Sequence, residues 1–146
     1  MTRDYLLDTS FLSAIYPDPD VLPAKLRPWV IENEYRLHLS TVVIAEIAAG
    51  AENLRQQEAF ARAEAYENWL ARSVENFAER ILPVDVEVAY CTGRLLGRAI
   101  AKGVHPGFAD IAIAATAEAH GLTVLTRNLK HFALLGVACF DPFEPA

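Results

Sequence analysis

Pro106-Gly107-Phe108-Ala109-Asp110-Ile111-Ala112-Ile113-Ala114-Ala115-Thr116-Ala117-Glu118-Ala119-His120-Gly121, followed at once by Leu122-Thr123-Val124-Leu125-Thr126-Arg127-Asn128, is the stretch on which the fold turns. Pro106 and Gly107 break whatever precedes them. The strong helix formers after Ala109 then run to Gly121, a residue suited to the left-handed turn that closes a helix. The segment between is too apolar for a surface helix, so it belongs in the interior. Asp110 is the exception, a carboxylate in a first helical turn, where the macrodipole favours it on structural grounds alone. The strand that follows is apolar until it ends in three polar residues.

Two other stretches change the weight given to Asp110. In Tyr5-Leu6-Leu7-Asp8-Thr9-Ser10-Phe11-Leu12 a short apolar run, readable as a buried strand, delivers Asp8 at its C-terminal end with a capping pair behind it. In Leu37-His38-Leu39-Ser40-Thr41-Val42-Val43-Ile44-Ala45-Glu46-Ile47, Ser40 or Thr41 can cap a helix that carries Glu46 inward, with no Lys or Arg within several positions. Burying three carboxylates costs free energy unless each is paired or bound to metal. A metal site shared by Asp8, Glu46 and Asp110 accounts for all three.

Taken in order, the chain alternates short strands with helices. Thr9 to Tyr16 reads as a short helix stopped by Pro17-Asp18-Pro19-Asp20, where the acids are turn residues. A helix beginning near Pro28, with Trp29 and Ile31 packing, gives way to a strand at Tyr35 to Leu39. The next helix, near Thr41 to Ala49, closes at Gly50, and a long charged helical pattern runs from Glu52 to about Phe77. Tyr66, Leu70, Val74 and Phe77 recur there at helical spacing, as a core face or a partner surface. Ile81 to Asp85 is a short strand or extended link with Asp85 as N-cap of a helix from Val86 to about Lys102. Val88, Leu95 and Ala99 of that helix point inward. Arg94, Arg98 and Lys102 share a four-residue spacing, as a solvated basic edge or one that contacts phosphate, with Arg94 best placed for the latter. Leu129 to Phe140 ends in an extended piece, Gly136 to Phe140, before a Pro-rich tail expected on the surface or on a partner.

This alternation predicts an α/β fold, a single domain over residues 1–146 whose central parallel sheet is flanked by helices on both faces. In such sheets ligands gather beyond the C-terminal strand edges at a topological switch point. Asp8 and the Thr126 to Asn128 group follow strands directly, and Glu46 and Asp110 sit in early helical turns, so all can converge on one edge.

At 146 residues, 53% of them hydrophobic, the chain can bury a sizeable core without disulfides or structural metal. No apolar run approaches the roughly 20 residues that span a bilayer, and no leader pattern is visible, which predicts a cytoplasmic protein away from membranes. Cys91 and Cys139 lack CxxC spacing and read as small core residues. None of His38, His105, His120 and His131 shows zinc spacing, and each reads as a capping, loop or core residue. A net charge of −6 and a pI near 5.2 argue against a broad basic face for nucleic acid. A site that recruits divalent cations, however, contributes to that negative count.

These residues together resemble the PIN-domain nucleases, and more closely the VapC-like toxins and their FitB-like relatives. The resemblance is carried nearly end to end by Leu6-Leu7-Asp8-Thr9-Ser10, Ser40 to Glu46, Ile81-Leu82-Pro83-Val84-Asp85, Ala109 to Ala117, His120 to Asn128, and Phe132 with Gly136-Val137. It implies phosphodiester hydrolysis of RNA dependent on Mg²⁺ or Mn²⁺, with Asp8, Glu46 and Asp110 as the acidic constellation. It also implies a homodimer, open to higher-order assembly, and a small antitoxin, often DNA-binding, whose tail enters the site. Ser10 stands where many relatives have Asn, and Asn128 where many have a fourth acid; an amide can ligate a cation but adds no charge. Ser10, Thr126, Asn128 and Arg94 are the candidates for positioning the carboxylates, water or substrate. A second reading is a FitB-like regulatory subunit that works through a DNA-binding partner. A phosphoacceptor of the response-regulator kind is disfavoured, because Asp8 is followed by Thr9 rather than by a second acid.

Overall fold

Leu6 and Leu7 are adjacent on the first strand, so they point to opposite faces of the sheet, and both are fully buried. The sheet is therefore covered on both faces, as its apolar strands require. The computed structural model describes residues 3–15 and 24–143. Its strands are β1 (Tyr5–Leu7), β2 (Leu37–Ser40), β3 (Ile81–Leu82), β4 (Thr123–Leu125) and β5 (Cys139–Phe140), all parallel, in the order β3-β2-β1-β4-β5. The chain fills one side of β1 with β2 and β3 before it returns to the other side for β4 and β5. The switch point lies between β1 and β4, and Asp8 and Thr126 are the residues that leave those two strands.

The helices are α1 (Thr9–Ile15), α2 (Arg27–Asn33), α3 (Thr41–Gln56), α4 (Phe60–Phe77), α5 (Val86–Ala101), α6 (Phe108–His120) and α7 (Leu129–Leu134). In α6 every residue from Ile111 to Ala117 is buried, as its all-round apolar sequence predicts. Gly121 closes it at φ 66°, and its N–H reaches back to Ala117 and Glu118. The Asp85 side chain accepts the Val88 N–H at 2.9 Å and that of Ser40 accepts the Val42 N–H at 3.1 Å, so α5 and α3 begin where their caps were expected. Val88, Leu95 and Ala99 are buried along α5. Among the described residues no helix is long and apolar enough to cross a membrane.

Several boundaries differ from expectation. Gly50 does not end its helix. The chain stays helical to Gln56, because Ile47 and Ala51 are both buried and hold the turn that contains the glycine. The break comes at Glu58, which takes φ 60° while its N–H and that of Ala59 return to Arg55 and Leu54. The long charged pattern is thus divided between α3 and α4, bridged by Arg55 and Glu67 at 2.5 Å. On α4 the buried row is Ala63, Trp69, Ser73 and Phe77; Tyr66 and Val74 remain exposed. Of the expected row, Phe77 is thus buried and Leu70 is half-buried against the core, while Tyr66 and Val74 lie on the outer side of the helix. Tyr35 lies in a 3-10 turn ahead of β2, and Ile31 is exposed, while Trp29 packs on Tyr5 and Phe140. β4 ends at Leu125, and of the Gly136 to Phe140 segment only Cys139 and Phe140 pair. Asp141 is buried, and Phe143 packs edge-on against Phe11 at 5.4 Å, so the tail up to Phe143 belongs to the core rather than the surface. Cys91 is buried and Cys139 half-buried, both as free thiols. The turn at 17–20 lies outside the described residues.

Candidate active site

The backbone first fixes Asp8. Its N–H donates to Leu125 O at 3.0 Å, extending the β1–β4 ladder by one rung, and its carbonyl accepts from Phe11 and Leu12 to begin α1. The side chain is buried and takes hydrogen bonds on both oxygens. Oδ1 accepts from the Thr9 N–H at 2.8 Å; Oδ2 accepts from Ser10 Oγ and Thr126 Oγ1, each at 3.0 Å. Three donors offset the desolvation of this carboxylate and leave it one orientation.

Thr126 is fully buried and works in both directions, since its Oγ1 also accepts the Asn128 N–H at 2.9 Å. The turn into α7 is thereby tied to Asp8. Asn128 itself is exposed, at the start of α7, and its side chain makes no cap bond. Arg127, between them, lays its guanidinium over the Phe143 ring at 4.7 Å.

Glu46 is reached through Thr9, whose Oγ1 donates to Glu46 Oε1 at 2.7 Å. Contrary to expectation Glu46 does not point inward; it is exposed on α3, and the Asp110 side chain is 37% exposed. Only Asp8 is buried. Burial of three carboxylates therefore does not by itself demand a cation, because helices leaving a strand edge let Glu46 and Asp110 keep contact with water. Asp110 lies in the first turn of α6, with its Oδ2 3.0 Å from His131 Nε2 of α7, off the line of a straight hydrogen bond. Among the described residues no three His, Cys, Asp or Glu side chains form a group that could hold a metal ion. A hard divalent cation that keeps most of its own water, however, needs only one or two carboxylates, and Asp8 with Glu46 or Asp110 supplies that oxygen chemistry.

Arg94 is exposed on α5, where it faces Cys91, and the Cys91 thiol donates to Glu118 at 3.2 Å. Glu118 lies eight residues beyond Asp110, about 12 Å along the helix, so this contact places Arg94 towards the far end of α6. Burial, and then the Glu118 carboxylate, push the Cys91 thiol up from its ordinary range. Two residues of the site were missed in the sequence: Thr9, read as a cap, and His131, read as bland. Thr9 had one signal, a hydroxyl directly after the first acid; His131 had none, since its approach to Asp110 is made by the packing of α7.

A model of the PIN domain matches residues 5–136 of the chain. A VapC ribonuclease of Sinorhizobium fredii is 35% identical over 145 residues, covering 97% of this chain and 99% of that protein. The crystal structure of FitAcB from Neisseria gonorrhoeae superposes with a TM-score of 0.78 at 30% identity, covering 97% of this chain and 99% of that one. DNA-bound VapBC from Salmonella typhimurium gives a TM-score of 0.74 at 29% identity, covering 96% and 98%. With its parallel sheet, its switch-point aspartate and these likenesses along nearly its whole length, the chain belongs to the PIN-domain family, among the relatives of VapC and FitB.

Proposed function

We propose that this chain, acting as one domain over residues 1–146, is a Mg²⁺- or Mn²⁺-dependent endoribonuclease and the toxin of a type II toxin–antitoxin pair. The observation that carries this reading is Asp8, a carboxylate buried at the switch point and held by three donors. Asp8 and Asp110 would hold the cation, and Glu46 would complete its shell through a water or orient the attacking water. When bound, the cation would polarise the phosphoryl centre and lower the pKa of a coordinated water.

The residues themselves prepare that chemistry. A carboxylate offers about four lone pairs. Oδ2 of Asp8 has two donors and Oδ1 has one, so a lone pair of Oδ1 stays open to a cation. Ser10 and Thr126 hold the plane of the carboxylate. His131 stands against one oxygen of Asp110, leaving the other to the site. Asn128, linked to Thr126 through its N–H, would position substrate beside the carboxylates, and Arg94, towards the far end of α6, would meet a phosphate further from them.

The partner would be a small, DNA-binding antitoxin, as the likeness to DNA-bound VapBC supports, and the toxin would be a cytoplasmic homodimer, open to higher-order assembly with it. Asn128, neutral where a fourth acid would add charge, favours a second reading: a FitB-like regulatory subunit that acts through its DNA-binding partner with little cleavage of its own. Titration of Mn²⁺ into the antitoxin-free chain, with cleavage of total RNA in the same buffers, separates the two. Binding and cleavage that both vanish in Asp8→Asn and Asp110→Asn uphold the nuclease. A folded wild type that neither binds Mn²⁺ nor cuts RNA refutes it in favour of the regulatory subunit.

A further inference from the structure

Glu46 is the least constrained of the three carboxylates: it is exposed and mounted on a helix, and a glutamate there is free to turn about its side-chain bonds. Its one partner among the described residues is Thr9. That residue has two donors and sends them to different carboxylates, its backbone N–H to Asp8 Oδ1 at 2.8 Å and its hydroxyl to Glu46 Oε1 at 2.7 Å. As a β-branched residue at the first position of α1, Thr9 has a stiff χ1. The start of α1 is itself clamped by the Asp8 carbonyl, which accepts from Phe11 and Leu12. The direction of the hydroxyl is therefore inherited from the strand that presents Asp8. Like charges on the two carboxylates would otherwise drive Glu46 outward into solvent.

We propose that Thr9 is a positioning residue that ties Glu46 to Asp8, setting the separation of the two carboxylates before a divalent cation arrives; this rests on the metal-site reading above. The two bonds separate cleanly, because the contact to Asp8 comes from the backbone and survives any side-chain substitution, whereas the contact to Glu46 comes from the hydroxyl alone. Oε2 of Glu46 accepts no hydrogen bond from the described residues, which leaves it available to the cation or its water.

The test is Mn²⁺ affinity by isothermal titration on the full chain, with thermal melts of the metal-free protein alongside. Thr9→Val keeps the shape and should bind Mn²⁺ about tenfold more weakly, the low end of what loss of a ligand-orienting group costs. Thr9→Ser, which restores the hydroxyl, should recover affinity to within about threefold of wild type. In a Glu46→Gln background the further step to Thr9→Val should change affinity by less than about twofold, since Thr9 acts through Glu46. Unchanged Mn²⁺ affinity in Thr9→Val, or a loss that simply adds to that of Glu46→Gln, overturns the proposal while leaving the metal site intact. Failure of wild type to bind Mn²⁺ is a different result and removes both.

Discussion

Thr126→Val replaces one hydroxyl by a methyl group of nearly the same size at a position with no solvent exposure. Two bonds disappear: the one donated to Asp8 Oδ2 at 3.0 Å and the one accepted from the Asn128 N–H at 2.9 Å. A hydrogen bond to a charged group contributes about 1.5–3 kcal/mol and a neutral one about 1 kcal/mol. Water can reach the Asn128 N–H, because Asn128 is exposed, but Asp8 is buried and cannot be rehydrated as readily. The expected destabilisation is about 3 kcal/mol, or about 9 °C in melting temperature for a chain of this length. Urea denaturation followed by circular dichroism at neutral pH measures it. Thr126→Ser is the control, keeping the hydroxyl and losing only a buried methyl for about 1 kcal/mol. Removing the Asp8 charge should shrink the effect of Thr126→Val, because the stronger of the two bonds is the one to the carboxylate. If Thr126→Val lies within about 0.5 kcal/mol of wild type, the Asp8–Thr126 bond does not hold the site together and the account of Asp8 is wrong.

Other expectations follow from particular positions. Gly50→Ala should stabilise the protein by about 1 kcal/mol in the same denaturation assay, since Gly50 is mid-helix and an added Cβ meets nothing within 4 Å; a loss of stability would mean that the helix does break there. Gly121→Ala should cost about 1 kcal/mol, because its φ of 66° strains an L-residue although space is open around it. Cys91 and Cys139 both have thiols raised by burial, Cys91 further by Glu118. The folded state thus keeps protons that the unfolded chain gives up, so stability attributable to the thiols is complete below the ordinary thiol pKa and declines as pH rises above it. Labelling by a thiol reagent at pH 8 should accordingly be much slower in the folded protein than in urea, and equal rates would contradict the burial of these groups.

The sequence marked Asp8, Glu46 and Asp110 by type and position. Each lies one residue after a strand or in an early turn of a helix, and the structure links Asp8 to Glu46 through Thr9. The caps at Ser40 and Asp85 and the left-handed Gly121 were legible as well, because a helix end is a local matter of which side chain can satisfy which N–H or which φ. Gly50, and the outer members of the Tyr66 row, Tyr66 and Val74, misled because they are local signals overruled at a distance, while Leu70 and Phe77 pack on the core as that row implies. A glycine costs a helix only about 1 kcal/mol, less than the burial of its neighbours returns, and two rows of one helix compete for the interior according to what the facing helix allows.

Order along the chain therefore determined the class of fold and the place of Asp8 directly after the first strand, at the switch point of the sheet. Only the tertiary structure decided how the three acids are held. Thr126 reaches Asp8 across 118 positions, Thr9 reaches Glu46 across 37, and His131 comes to Asp110 from another helix. These contacts depend on strand order and helix packing, which a one-dimensional pattern constrains but does not contain. The same packing left Glu46 in water and buried Asp8 alone, since exposure is a property of what neighbouring elements cover, not of the residues beside it in sequence.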